Sequence, residues 1–186
     1  MISEKGARAN ESALIIVDIQ EKLISSIHEE RREIIVKNTE KLIRSAEILG
    51  IPIIYTEQYP KGLGRTISEI SSLIKERPIE KRSFSCFGSE DFKDAVAESM
   101  ARYLIIAGIE SHICVNQTVF DALELGYTPI VVEDATGSRN KRDHETAMMK
   151  FSSSGVLVES TEMIIYEWLE SAENRKFKEI LEIIKD

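Results

Sequence analysis

Short apolar runs alternate with helix-like segments along this chain, and this alternation constrains the fold more than any other feature. Most of the runs are rich in Ile, Val and Leu, as is typical of strands that are buried on both faces. The six runs are residues 12–18, 52–56, 81–87, 103–107, 128–133 and 155–159. Helical segments are predicted at residues 31–49, 66–75, 90–102, 112–126 and 142–152, and in a helix capped by Thr161. The order predicts an α/β fold: a Rossmann-like, three-layer α/β/α arrangement around a six-stranded parallel sheet.

The length of 186 residues suits one domain with a full core. We expect a single domain over residues 1–186, with its core at about 12–172 and an amphipathic helix at about 174–186. In that tail Phe177, Ile180, Leu181 and Ile184 repeat at helical spacing and form one apolar stripe. The stripe either caps its own subunit or contacts a neighbouring one, and the sequence leaves both open.

Charge and composition exclude several classes of function. The net charge of −8 without a basic block argues against a nucleic-acid partner. No apolar run is long enough to span a bilayer, so no membrane partner is expected. The polar start of the chain has no hydrophobic signal core, which predicts a cytoplasmic protein. Two cysteines do not make a disulfide scaffold, and the three scattered histidines have no metal-ligand spacing, so we expect no cofactor.

Cys114 lies where the apolar run from Tyr103 gives way to a helix that ends at Gly126. The positive end of a helix lowers the pKa of a thiol, and the thiolate is the nucleophilic form. Free backbone N–H groups in such a turn can also receive an oxyanion. The alternative is a buried structural cysteine.

Asp18 and Lys81 are the other reactive side chains placed at strand ends. In parallel sheets, ligands bind beyond the carboxyl ends of the strands, where Asp18 ends the first run and Lys81 opens the third. Each has a simpler reading, since Asp18 could cap a helix and Lys81 could be a solvated charge. Spacing alone does not choose between these readings.

Three motifs make the chain resemble the isochorismatase-like family of cysteine hydrolases. They are ALIIVDIQ, the segment Lys81-Arg82-Ser83-Phe84-Ser85, and AGIESHICVNQTVFDALELGYTPIVVEDATGSR, which occur in the family's order over roughly residues 12–160. The resemblance implies the family's six-stranded isochorismatase-like hydrolase fold and an Asp–Lys–Cys triad at Asp18, Lys81 and Cys114. In that triad the aspartate is the base, the lysine a nearby cation, and the cysteine the nucleophile that forms a thioester.

The resemblance also implies details around the cysteine. It implies a cis peptide between Ile109 and Glu110, and an oxyanion hole made by the backbone N–H groups of Glu110 and Cys114. The candidate pocket residues are Gln20, Gln58, Tyr59 and Phe84. For Gln20, Gln58 and Tyr59, a polar position facing water is an equal alternative.

Departures from the family pattern matter as well. Its nicotinamidases carry an Asp–x–His and a further histidine as a metal site after the second strand, whereas Thr56–Pro60 has no histidine, so no metal site is expected. His112 is two residues before the cysteine, but the Asp–Lys pair already supplies a base, so His112 is not predicted to act as one. Cys86, between Phe84 and Phe87, is interpreted as a core or pocket-wall residue rather than a resolving thiol.

The leading hypothesis is therefore a cysteine-dependent hydrolase, homo-oligomeric as family members commonly are, that acts on a small amide or carbamoyl-type C–N substrate. One alternative is the hydrolysis of isochorismate, a vinyl ether, without a covalent intermediate, which the presence of Cys114 disfavours. Another is a catalytically silent binding or scaffold protein, which an intact triad disfavours.

Overall fold

Six parallel strands form one sheet in the computed structural model, which describes residues 6–185 of the chain. The strands are β1 Ser12–Val17, β2 Ile53–Gln58, β3 Ile79–Lys81, β4 Tyr103–Ile109, β5 Thr128–Gly137 and β6 Leu157–Glu159. Their spatial order is β3-β2-β1-β4-β5-β6, and every neighbouring pair is parallel. The predicted α/β class and six-stranded parallel sheet are confirmed.

Helices cover both faces of this sheet. They are α1 Glu21–Ile24, α2 Glu29–Leu49, α3 Pro60–Leu63, α4 Ser68–Ser71, α5 Glu90–Glu98, α6 Asn116–Glu124, α7 Lys141–Ser153, α8 Thr161–Leu169 and α9 Phe177–Lys185. Successive residues of a strand point to opposite faces. In β1, Leu14 and Ile16 pack in the core beneath α2, α8 and α9, whereas Ala13, Ile15 and Val17 pack beneath α5, α6 and α7. Among the described helices, none has the length and apolarity needed to cross a bilayer.

Several predicted boundaries are wrong, mostly where polar residues interrupt a pattern. The third strand covers Ile79–Lys81, and the rest of the predicted run bends into a 3-10 turn at Cys86–Gly88. Helix is limited to Ser68–Ser71 within the predicted segment 66–75. The fifth strand continues beyond Glu133 to Gly137, because its end pairs with the end of β4. Ser160, not Thr161, caps α8 by accepting a hydrogen bond from Met163 N.

The C-terminal helix packs against α2 of its own chain. Ile180 is fully buried, Phe177 and Ile184 pack beside it in the same core, and Lys41 Nζ donates to the carbonyl of Ile184. The apolar stripe therefore caps its own subunit in this structure. Asp186, the predicted last residue of the helix, and residues 1–5 of the predicted domain lie outside the described residues.

The strand order reverses between β1 and β4, and this point positions the site. Chains leave the two neighbouring strands toward opposite sides of the sheet, which opens a crevice at their carboxyl ends. Gly108 lets the two strands approach closely there, since its φ is +122° and a Cβ atom would collide with the backbone of Val17. Asp18 follows β1 directly, and the segment that carries Cys114 follows β4.

Candidate active site

Asp18 is the centre of a buried polar cluster at this crevice. It follows the last residue of β1 with a φ of +50°, and it is fully buried. One carboxylate oxygen accepts from Lys81 Nζ at 2.7 Å, and the other accepts from Thr56 Oγ1 at 2.7 Å. The carboxylate is therefore anchored from both β2 and β3, and it does not cap a helix.

Lys81 ends β3, and its ammonium group is enclosed by acceptors. Besides Asp18, its Nζ donates to Gln58 Oε1 at 2.9 Å and to the carbonyls of Ser83 and Phe84 at 3.1 and 3.0 Å. Burial is the largest single influence and acts to lower the pKa of Lys81, but the charge of Asp18, the Cys86 and Cys114 thiols and the hydrogen bond to Asp18 together raise this pKa. Lys81 is thus a fixed buried cation and not a solvated charge.

Cys114 lies in a five-residue π-helical turn, Ser111–Val115, which we call the cysteine turn. The thiol is buried and lies near enough to Asp18 for the carboxylate to act on it electrostatically. Burial, followed by the negative charge of Asp18, raises the pKa of the Cys114 thiol, and the opposing effect of Lys81 is smaller. The predicted lowering of this pKa is therefore wrong, because burial of the sulfur and the charge of Asp18 outweigh the effect of Lys81.

The backbone changes direction sharply before the cysteine turn. The peptide between Ile109 and Glu110 is cis. Beyond the turn, Thr118 Oγ1 donates to the Cys114 carbonyl at 2.8 Å and accepts from Cys86 N at 2.9 Å. The segment that carries the sulfur is therefore bonded to α6 and to the 3-10 turn at Cys86–Gly88.

The four candidate pocket residues fall into two groups. The Gln20 side chain is buried and bonded to backbone groups of Gln58 and Gly64, so it fastens the loop after β2. Gln58 orients Lys81 and donates to the carbonyl of Arg82. By contrast, Tyr59 and Phe84 are 40% and 54% exposed, and the Arg82 guanidinium stacks 4.1 Å from the centre of the Tyr59 ring. These two aromatic rings are therefore exposed to solvent, whereas Gln20 is buried.

Cys86 and His112 lie near the cluster in different roles. Cys86 is fully buried, its sulfur is 3.7 Å from Thr56 Oγ1, and burial raises its pKa to about 11. His112 Nδ1 lies 2.9 Å from Ser138 Oγ, and its Nε2 is 3.9 Å from Asp143, so the ring is held on the side of α7. Within residues 6–185 no three His, Cys, Asp or Glu side chains group as metal ligands.

Sequence reasoning missed Thr56 and the contacts behind the cysteine turn. Thr56 lies in β2 beside Asp18, and its place at the end of a predicted strand was an available signal. Ser111 Oγ lies 2.8 Å from His144 Nδ1, although the two residues are 33 positions apart in sequence. No local sequence pattern predicts such a contact. A cavity of about 500 Å³ adjoins them, lined by Ile27, His28, Glu30, Arg31, Ile34, Glu133, Ser138, Arg139, Lys141, His144 and Glu145. Asp18, Lys81 and Cys114 do not line it.

Comparison with known proteins shows which sequences and folds this chain resembles. A family model for the isochorismatase domain matches residues 12–163. The isochorismatase domain-containing protein 1 of Danio rerio is 35% identical over 147 residues, which cover 78% of this chain but only 52% of the relative, so the chain spans about half its length.

Two solved structures have closely similar folds. The MAR1 ribonuclease from Caenorhabditis elegans is 35% identical with a TM-score of 0.89, over 96% of this chain and 92% of that one. YcaC from Pseudomonas aeruginosa, solved with hexane-2,5-diol and covalent acrylamide, is 25% identical with a TM-score of 0.90, over 98% and 93% of the two chains.

Proposed function

Since the chain belongs to the isochorismatase family, we propose that it is a cysteine-dependent hydrolase of a small amide or carbamoyl-type C–N substrate. The observation that carries the proposal is that one buried carboxylate, Asp18, is paired with the Lys81 ammonium and lies near enough to the Cys114 thiol to raise its pKa. A nucleophile beside a base that is itself oriented by a third group is the arrangement needed for covalent catalysis.

The chemistry follows from the protonation states in the cluster. Cys114 is a thiol before substrate binds, because burial and Asp18 raise its pKa. As sulfur attacks the carbonyl carbon, the thiol proton passes to Asp18, and Lys81 stays an ammonium ion that steadies the charge. Backbone N–H groups of Glu110 and Cys114 stabilise the oxyanion. The C–N bond then breaks, and Asp18 returns the proton to the leaving nitrogen.

Hydrolysis of the thioester completes the cycle. Water attacks the acyl carbon while Asp18 takes its proton, and the sulfur leaves and is reprotonated as the acid product is released. No net proton or electron is consumed beyond the water that is added. Tyr59 and Phe84 are the substrate contacts in this proposal, because their rings are exposed at the rim of the cluster.

Two features of relatives bear on the proposal. The structure of the Pseudomonas YcaC carries covalent acrylamide, and acrylamide is an electrophile to which thiols add. The nematode relative is titled a ribonuclease. For the present chain a net charge of −8 disfavours binding to a polyanion, so we propose a small-molecule substrate and no nucleic-acid partner.

Site-resolved labelling and turnover test the proposal, with Cys86→Ala as the matched control for Cys114→Ala. Acrylamide and iodoacetamide should modify Cys114 before Cys86 in the folded protein, as read by peptide mass. A panel of small amides and carbamoyl compounds should include a substrate whose turnover is lost in Cys114→Ala and kept in Cys86→Ala. A trapped acyl adduct on Cys114 would identify the substrate.

Isochorismate and a structured RNA belong in the same panel as competing outcomes. Turnover of isochorismate that survives Cys114→Ala would replace the proposal with vinyl-ether hydrolysis. Cleavage of RNA would overturn the substrate class. Equal labelling of the two cysteines, with no turnover that depends on Cys114, would leave only a binding role.

We also propose that the chain forms a homo-oligomer and acts in the cytoplasm. Large apolar side chains remain exposed on several helices, among them Met149 and Met163 at 64% and 51%. Light scattering of the purified protein at micromolar concentration tests the first point, and a strictly monomeric mass would refute it. Microscopy or fractionation of cells that express the full protein tests the second.

A further inference from the structure

Three consecutive residues at the start of the cysteine turn are bonded to the segment that follows β5. Glu110 accepts from Arg139 through both the backbone N and the guanidinium, each at 3.1 Å. Ser111 Oγ lies 2.8 Å from His144 Nδ1, and His112 Nδ1 lies 2.9 Å from Ser138 Oγ. The turn is therefore held by three neighbouring contacts, none of which involves Asp18 or Lys81.

The Ser111–His144 contact is the buried member of the three. Ser111 is fully buried and His144 is 8% exposed, whereas the Arg139 side chain is 58% exposed. A hydrogen bond shielded from water is harder to replace than one at the surface, because a lost partner leaves a polar group unsatisfied. This contact therefore fixes the turn more strongly than its two neighbours do.

His144 is itself fixed by charged groups from two other elements. Its Nε2 lies 3.0 Å from Glu133 Oε1 and 3.1 Å from Arg31 Nη2. Arg31, from α2, also donates to the carbonyls of Glu133 and Thr136 at 2.6 and 2.8 Å. The imidazole thus links the sheet and α2 to the cysteine turn.

We propose that Ser111 and His144 are positioning residues that hold the cysteine turn so that the Cys114 sulfur stays against Asp18. Ser111 opens the turn and lies three residues before Cys114, so a rotation of its peptide moves the sulfur. Catalytic consequences of this role rest on the proposed function, but the placement of the thiol is measurable without turnover.

A direct chemical role for Ser111 is the competing interpretation. Ser, His and Glu within hydrogen-bonding distance resemble a hydrolase triad. However, Ser111 has no exposed surface, and it does not line the adjoining cavity, so no substrate reaches its hydroxyl. The contact is built to hold backbone in place.

The test is the pH profile of Cys114 alkylation by iodoacetamide, resolved by peptide mass, in four single variants and one double variant. Ser111→Ala and His144→Ala remove the contact. His144→Asn keeps an amide where Nδ1 lies and loses the reach to Glu133. Ser45→Ala is the control, because it removes another buried hydroxyl, on α2, away from the site. Urea unfolding of each variant measures its stability, so that a loss of stability is distinguished from a loss of positioning.

In the wild type the alkylation rate should keep rising with pH to about 10 without a plateau, because the thiol is buried beside a carboxylate. In Ser111→Ala and His144→Ala the thiol moves away from Asp18 and gains contact with water, so a plateau should appear at lower pH, toward the ordinary thiol pKa of about 8.5. His144→Asn and Ser45→Ala should keep the wild-type profile. The double variant Ser111→Ala/His144→Ala should be no worse than either single one.

Turnover gives a second readout if a substrate is found. Loss of the contact should lower kcat by about 10- to 100-fold, the cost of misplacing a reacting group by roughly 1 Å, with KM within about twofold. Wild-type alkylation profiles in both alanine variants would overturn the positioning role even if these variants are less stable. An enzyme without any turnover would defeat the proposed function and leave the alkylation test intact.

Discussion

Replacing Lys81 by methionine should cost the protein much of its stability, because it leaves the Asp18 carboxylate buried without its cation. The two side chains are both 0% exposed and lie 2.7 Å apart. Removing one partner of a buried ion pair typically costs about 3–5 kcal/mol. The change also takes a donor from Gln58 and from the carbonyls of Ser83 and Phe84. We therefore expect Lys81→Met to lower the free energy of unfolding by an amount in the upper half of that range.

A double-mutant cycle separates the charge effect from the lost packing. Asp18→Asn alone should cost less than Lys81→Met, because the ammonium retains its three other acceptors. Asp18→Asn/Lys81→Met removes both charges and should recover about 2 kcal/mol relative to the sum of the single changes.

Urea unfolding at pH 7.5 and 0.15 M salt, followed by circular dichroism, supplies the free energies. Lys93→Met is the control, since Lys93 pairs with Glu90 on the surface of α5 and should contribute less than about 1 kcal/mol. A cost below about 1 kcal/mol for Lys81→Met, or strict additivity in the double variant, would refute the reading of a buried, mutually dependent pair.

Three further changes probe other parts of the structure. Gly108→Ala should destabilise the fold by several kcal/mol and lower the melting temperature sharply, because residue 108 has φ +122° and a Cβ atom would collide with the backbone of Val17. A decrease in melting temperature of less than a few degrees would contradict this. Ile180→Ala should cost about 2–4 kcal/mol and raise hydrogen exchange in α9, and unchanged exchange would show that the helix is not held by this side chain. Burial, and then repulsion from Glu167, raises the pKa of Glu159 from 4.5 to about 7, so its ionisation penalty begins near pH 4.5, grows as pH rises toward 7 and is complete above that. Glu159→Gln should therefore stabilise the protein by about 1 kcal/mol at pH 8, a value reduced for partial hydration, and change little at pH 4.5 in urea melts; equal effects at both pH values would refute it.

The sheet and the main site residues were accessible from sequence because they depend on local patterns. Apolar runs marked the strands, and in parallel sheets their carboxyl ends gather at one edge. Asp18 ends its predicted run and Cys114 follows another, but Lys81 opens the predicted run 81–87 and only the structure places it at the end of β3. Spacing alone left the meeting of the three residues open, and the triad was implied by the family resemblance. The run 81–87 is wrongly predicted as a strand because its phenylalanines are interspersed with polar residues, as in a half-buried strand. The chain bends there instead, and the carbonyls of Ser83 and Phe84 accept hydrogen bonds from Lys81.

Properties that depend on three-dimensional surroundings were not accessible. The thiol pKa was expected to fall because a helix start and a lysine were recognised, but the strength of desolvation depends on how deeply the sulfur is buried. The Ser111–His144 contact joins residues from separate elements, and no periodicity relates them. Likewise, no sequence pattern indicates that the Gln20 amide donates hydrogen bonds to the carbonyls of Gln58 and Gly64 and so holds the loop after β2.

The outermost strands of the sheet, β3 and β6, have three residues each. At about 3.3 Å per residue, each offers a free edge of only roughly 10 Å to another molecule. A foreign strand that docked there would gain few backbone hydrogen bonds, too few to offset the entropy of ordering it. The apolar interior strands, which by composition would form fibrils, are thus kept from polymerising while the protein stays folded.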